Sequence, residues 1–434
     1  MTPASRDLPR RLGLFDATMI VGGTVMGSAI FLVPSSVAST LPNPVLIAAV
    51  WIFAGVLTFF GALAFAELGA MYPASGGQYV YLRESWGKLT AFLFGWAFLL
   101  VIRSGGTATL AVAFAIYVGH FVPLTAAGAK TTAVAVILIL TLVNCRGVRL
   151  GAAVQNVFTV AKVLGVAVLI GSALVSPRVS ALEWSPPAAF SWSDFGVATI
   201  ACLWAYQGWF MGGMVAGEIK RPERNLPLAL SLGVGGIIVI YLSANLAYLH
   251  VLTVPEIAGA ERVAAVMAGR TMGAAGASVV SLVILVSIFG ALNGGILAGP
   301  RVYFAMARDG LFFRKIAEVH PKYETPALAI LVQGGWASLL AVSGSYEKLF
   351  SYVIFSSWIF YGLAVAGVIV LRRRHPDLPR PYKMWGYPVT PALFVVTSML
   401  FVANTLVTKP VPSLLGLLCV ASGVPAYLFW RRSR

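Results

Sequence analysis

The chain has little charge. Of its 434 residues only 11% are Asp, Glu, Lys or Arg, while 59% are hydrophobic; soluble domains carry about 25% charged residues. An ordinary soluble globule is excluded. Cysteine is scarce as well: Cys145, Cys202 and Cys419 lie within or at the end of apolar stretches, which provides no disulfide framework. His120, His250, His320 and His375 are scattered, with no metal-ligand spacing and no nucleophile–base pattern. A membrane enzyme is therefore a weak reading. No ring of like charges or carbonyl-filter repeat speaks for a channel. Acidic residues are few, 15 against 31 Lys and Arg, giving a net charge of +16. Such an excess could mark a nucleic-acid surface, and its distribution decides the matter.

What the sequence has in quantity is apolar length, with a mean hydropathy of +0.86. Stretches of roughly 20 apolar residues read as membrane spans. They lie near 14–38, 44–71, 92–119, 129–145, 152–176, 195–217, 227–252, 275–300, 327–343, 349–371, 388–408 and 412–430. With the N-terminus in the cytoplasm, only Lys130, Arg178, Arg262, Arg270, Lys348 and Lys409 fall outside, and Arg103 and Lys162 fall within spans. The remaining basic residues, from Arg6 to Arg434, sit inside. That asymmetry is the positive-inside rule at work, so the basic excess reports topology and no nucleic-acid partner is expected. The expected fold is an all-α polytopic membrane protein of twelve helices in the bilayer of the plasma (inner) membrane, both termini cytoplasmic. The first span serves as its own insertion signal, since no cleavable leader is evident.

Two spans are interrupted. Residues 18–34 carry Gly22, Gly23 and Gly27, with Thr24 and Ser28 between them. Each glycine costs about 1 kcal/mol relative to alanine in a helix interior, so the cluster marks either a break or a small-residue packing face. A broken helix in hydrocarbon is tolerated only where it lines a cavity buried in protein. The half-helix starting near Gly27 would then aim free N–H groups and a positive dipole end at an anion such as a carboxylate. The sixth span repeats the anomaly at Trp-Ala-Tyr-Gln-Gly-Trp-Phe-Met-Gly-Gly over residues 204–213. Two interrupted spans five apart point to an inverted-repeat transporter with its site at the midplane, and they favour the break over the packing face. The domain reading is a cytoplasmic tail over 1–13 and a core over 14–371, made of five-helix repeats 14–176 and 195–371. Helices 11 and 12 over 388–430 and a tail over 431–434 follow. The loops 217–227 and 301–310 carry mixed charge suited to ion pairs at the inner face, and Glu67 reads as a carboxylate paired there.

Motifs along the whole chain resemble those of the amino acid–polyamine–organocation superfamily, and within it the L-type amino acid transporter family. They include Gly-Thr-Val-Met-Gly-Ser-Ala-Ile-Phe over 23–31, Ala-Glu-Leu-Gly over 66–69, Gln155-Asn156 with Lys162, and Gly-Glu-Ile-Lys-Arg-Pro-Glu-Arg-Asn-Leu-Pro over 217–227. Phe-Gly-Ala-Leu-Asn-Gly over 289–294, Met-Ala-Arg-Asp-Gly over 306–310 and Arg-Pro-Tyr over 380–382 add to these. The resemblance implies a LeuT-like fold, a 5+5 inverted repeat with helices 1 and 6 broken and helices 11 and 12 appended. It implies an amino acid as substrate, often exchanged, and no cofactor or metal. The backbone N–H groups of Ser28, Ala29 and Ile30 would hold the substrate carboxylate. Carbonyls of Val25, Trp204, Ala205 and Gln207 would take its ammonium group. Gly27, Gly208 and Tyr206 would shape the pocket, and Trp204 matches an aromatic gate, though a tryptophan here also reads as core. Lys162 matches a lysine that replaces a sodium ion in this family, hydrogen-bonded to carbonyls near Gly22 or Gly23 and to the Ser287 hydroxyl. A lysine snorkelling to the interface is the plainer alternative.

The sequence departs from its relatives in two places. Ala29 stands where glycine is common, adding a methyl group beside the carboxylate niche, and Phe210 replaces a polar residue. Both lean toward small neutral substrates. Arg103 matches an arginine of cystine/glutamate-type relatives and reads equally as a substrate contact or as scaffold. The loop over 119–130 lacks the cysteine that animal heteromeric relatives use, so no covalent heavy subunit is expected and a stand-alone prokaryotic carrier is. The expected function is sodium-independent exchange of small neutral L-amino acids by alternating access. Proton-coupled symport, exchange of anionic amino acids through Arg103, and a sensor of transporter fold are the alternatives.

Overall fold

The computed structural model describes residues 7–176, 191–343 and 346–432, with side chains for all of these except 346–354. Arg6, Arg178 and Arg434, assigned above to loops and tails, lie outside the described residues, as does the side chain of Lys348. Among the described residues the elements are helices, apart from one bridge between Leu12 and Ile219. In chain order they are α1 (Leu14–Val25), α2 (Ala29–Thr40), α3 (Pro44–Met71), α4 (Gln78–Trp86), α5 (Lys88–Ala97), α6 (Ser104–Val118), α7 (Ala126–Cys145), α8 (Val148–Leu174), α9 (Trp192–Ala205) and α10 (Met211–Met214). Next come α11 (Pro222–Val251), α12 (Val254–Gly259), α13 (Val263–Met272), α14 (Gly276–Ala298), α15 (Pro300–Arg308), α16 (Ala327–Ser343), α17 (Tyr346–Arg374), α18 (Val389–Thr408), α19 (Pro410–Ala421) and α20 (Gly423–Arg432).

Nine of the described helical runs are long and apolar enough to cross a membrane, and the bent pair α1–α2 makes a tenth. Helix α16, at 17 residues, and the interrupted pair α9–α10 complete the twelve expected segments. Local chemistry sets several boundaries. Asn43 accepts from the N–H groups of Val45 and Leu46 at 2.9 and 3.1 Å and opens α3, with Pro44 at the first helical position, where its missing N–H is no loss. A π-turn over Phe98–Arg103 joins α5 to α6, so the third segment runs unbroken from Lys88 rather than from residue 92. Helix α1 packs against α8, α11 and α14, and α2 against α9 and α12. The two halves of the first segment therefore answer to different neighbours.

The end of the bundle that carries residues 7–12 is pinned by ion pairs. Glu218 and Arg301, both fully buried, pair in a fork at 2.7 and 3.0 Å, and Arg301 also reaches the Leu297 carbonyl. The Glu218 carbonyl accepts from the N–H groups of Arg11 and Leu12 at 2.8 and 2.9 Å, which straps the tail onto the sixth segment. Arg11 pairs with Glu324, Arg83 with Asp309, and Arg308 with Asp7. Glu67, buried as a pair partner as expected, takes Arg372 at 2.6 Å. Cutting one partner from a buried pair strands a charge and costs about 3–5 kcal/mol. Glu218→Ala is expected to lower the apparent melting temperature of the purified protein sharply, and the double replacement Glu218→Leu with Arg301→Met to recover most of that loss.

Candidate functional site

Helix α1 stops at Val25 because Met26, at ψ 88°, leaves the helical region, and α2 resumes at Ala29 bent by 45°. The break is thus Met26–Ser28. This corrects the placement of Gly22 and Gly23, which lie inside α1. At Gly23 the reason for glycine is packing: a Cβ there would fall 2.1 Å from Thr159 Oγ1 and 2.2 Å from Gln155 Nε2. The N–H groups of Ser28, Ala29 and Ile30 lie at the start of α2, where the first donors of a helix have no intrahelical acceptor and the dipole is positive. The second break runs over residues 206–210 between α9 and α10. Gly208 sits at φ +119°, with a would-be Cβ 2.6 Å from the Thr24 carbonyl, and Thr24 Oγ1 donates to the Gly208 carbonyl at 3.1 Å. The two breaks therefore touch, and only glycine permits that approach.

Between them lies a cavity of about 290 Å³. Val25, Gly27, Ser28 and Ala29 line it from the first segment, and Trp204, Ala205, Gln207, Gly208 and Phe210 from the sixth. Helix α6 and the turn before it supply Arg103, Gly106, Thr109 and Tyr117, so the cavity climbs away from the strapped end. No acidic side chain lines it. One expected pocket side chain, that of Tyr206, is elsewhere. Tyr206 is buried in an aromatic cluster with Trp51 and Tyr241 and donates to the Trp51 carbonyl at 3.2 Å. The side chain of Ile30 is fully buried, and its carbonyl accepts from Tyr248 at 3.4 Å. Sequence reasoning missed Tyr241 of α11, whose hydroxyl lies 3.2 Å from the Val25 carbonyl and 3.3 Å from that of Ala205. It bridges the Ala205 carbonyl and that of Val25, which also accepts from the Gly27 N–H at 2.8 Å. The only signal was a pair of phenols, Tyr241 and Tyr248, in an apolar run.

Lys162 is fully buried and turned into the bundle, which rules out snorkelling. Its ammonium donates to the carbonyls of Gly23 at 2.5 Å and Met26 at 2.7 Å. The Gly22 carbonyl instead accepts from the Met26 N–H at 3.0 Å, because it keeps its place in the helical ladder. Ser287 joins through a shared acceptor: its hydroxyl lies 3.0 Å from the Met26 carbonyl and 3.0 Å from that of Gly27. Lysine and serine together satisfy the unpaired end of α1, where a cation also suits the negative dipole end. Gly290 of α14 makes the room, since a Cβ there would meet Lys162 Cε at 2.7 Å.

Arg103 has Thr107 Oγ1 at 3.3 Å from both Nε and Nη2 and presses on α14, where a Cβ at Gly295 would fall 2.2 Å from Nη2. No carboxylate among the described residues pairs with it.

A helical bundle of membrane-length segments, with a cavity where two interrupted helices meet, defines a polytopic membrane carrier. A family model described as amino acid permease matches residues 12–424. The chain is 35% identical over 422 residues to human b(0,+)-type amino acid transporter 1, covering 94% of this chain and 85% of the relative. It is 33% identical over 423 residues to the serine/threonine exchanger SteT of Bacillus subtilis, covering 97% and 96%. Mouse large neutral amino acids transporter small subunit 2 is 33% identical over 441 residues, covering 98% and 82%. The chain belongs to the amino acid permease family of the amino acid–polyamine–organocation superfamily.

Two substitutions test this geometry. Gly23→Ala forces a methyl group into Thr159 and Gln155 and is expected to cost about 1–3 kcal/mol of stability, read as a lower melting temperature. Lys162→Met keeps the volume and removes the donors. Transport per folded carrier is expected to fall at least about tenfold, the lower range for losing a buried charge-assisted bond.

Proposed function

We propose that the protein exchanges small neutral L-amino acids across the plasma membrane by alternating access, without sodium, as a stand-alone chain with both termini in the cytoplasm. The observation that carries the reading is the cavity between the two breaks, with helix-start donors on one wall and no acidic side chain in its lining. A zwitterion's carboxylate is held by the N–H groups of Ser28, Ala29 and Ile30. Its ammonium faces the carbonyls of Val25, Trp204, Ala205 and Gln207, with Tyr241 yielding part of its hold on Val25 and Ala205. The methyl group of Ala29 and the ring of Phe210 narrow the space, which favours small side chains. The fixed charge of Lys162, already seated on the carbonyls of Gly23 and Met26, takes the place of a coupling cation. The ion pairs at the strapped end close the cytoplasmic face while the cavity opens outward. The repeats over 14–176 and 195–371 supply the two moving halves. Family relatives named for amino acid transport and for serine/threonine exchange support the same reading.

One observation favours a second substrate class: Arg103 lines the cavity with no carboxylate partner among the described residues, and a charge in a membrane segment marks a functional site by default. Counterflow in proteoliposomes separates the readings. Uptake is expected to require internal neutral amino acid, to persist when sodium is replaced by potassium, and to ignore a pH gradient. Uptake into empty vesicles driven by either gradient would defeat the exchange reading. Competition by glutamate that disappears in Arg103→Ala would replace the neutral substrate with an anionic one.

A further inference from the structure

Three glycines line the cavity, and their reasons differ. Gly208 is held at positive φ and pressed on Thr24. Gly27 lies in the first break, beside the donors proposed for the carboxylate. Gly106 belongs to neither break: it is the third residue of α6, with helical backbone, and a Cβ placed on it meets nothing within 4 Å. Neither a close approach nor a left-handed backbone demands glycine there. Glycine is the poorest helix former after proline, so α6 gives up stability at this position without any return in packing. The space it leaves opens into the cavity, on the same helical stripe as Arg103, Thr109, Leu110, Ala113 and Tyr117. Thr109, one turn further along that stripe, continues the same wall. A void left by a missing side chain on a cavity wall is what a ligand's side chain would fill.

We propose that Gly106 is the specificity-determining residue of the cavity: the space beside it receives the substrate side chain beyond its Cβ and sets the largest one admitted. This rests on the reading of the cavity as the amino acid site. The common part of every substrate is held at the two breaks, so filling the space beside Gly106 discriminates by size alone. A substitution at Gly27 would instead reach the cradle that all substrates share.

The test is counterflow with the full-length protein in proteoliposomes, using glycine, alanine, serine, threonine, valine, leucine and phenylalanine as competitors. In Gly106→Ala and Gly106→Val, glycine and alanine are expected to compete as in the unaltered protein. The largest competitor the unaltered protein accepts is expected to lose at least about tenfold, the discrimination that one methylene gives in an apolar pocket, and the loss should be greater with valine. The melting temperature of Gly106→Ala is expected to hold or rise, since alanine suits the helix better. Gly171→Ala, equally open but away from the cavity, should leave every ratio unchanged. If the valine variant does not fold, the alanine variant still decides. Ratios that stay constant across the series, or an equal loss for every competitor, overturn the assignment of Gly106 while leaving exchange intact. No counterflow by the unaltered protein with any of the seven would remove the amino acid site itself, and this inference with it.

Discussion

The ammonium of Lys162 on the carbonyls of Gly23 and Met26 is the contact on which the rest depends. A helix that stops in mid-bilayer leaves carbonyl groups with no water to accept from. Here a buried cation and the Ser287 hydroxyl take them. Because that end of α1 is satisfied, Met26 can leave the helix, Gly27 can turn, and α2 can start afresh beside the cavity. The lysine in turn is tolerable in the core only because the break supplies acceptors. Cation and break stabilise each other, and neither makes sense alone.

The second break obeys the same accounting with neutral groups. Tyr241 reaches the carbonyls of Val25 and Ala205 at once, and Thr24 reaches that of Gly208. The carbonyls of Val25, Ala205 and Gly208 thus each have a neutral hydroxyl within reach. Behind them a polar chain ties α1 to its scaffold: Gln155 and Thr159 approach the Met19 carbonyl, and Asn293 joins Gln155 to Asn144. The α2 side has no such ties to α8 and packs against α9 and α12 instead. The two halves of the first segment are therefore held by different parts of the bundle.

At the strapped end the fixing contacts are charged. Glu218 with Arg301 is fully buried, whereas Arg11 with Glu324 is well exposed. The buried pair is the stronger constraint, because opening it exposes two charges to an apolar surround unless water enters with them. The exposed pairs contribute little each and guide the tail more than they hold it.

The sequence alone was enough for the membrane class, the twelve segments, the two interruptions and the presence of Lys162 within a span. Composition and hydropathy are properties of the chain itself, and a charge or a glycine cluster within an apolar run conflicts with the bilayer wherever the chain folds. It could not place the break three residues past Gly23, since the same glycines serve packing against Gln155 and Thr159 as well as bending. Nor could it show that Tyr206 turns away from the cavity while Gly106 opens onto it, or that Tyr241 spans both breaks. Those facts depend on which faces of α6, α8 and α11 meet the broken segments. Contacts between residues over a hundred positions apart in sequence are decided only when the helices pack.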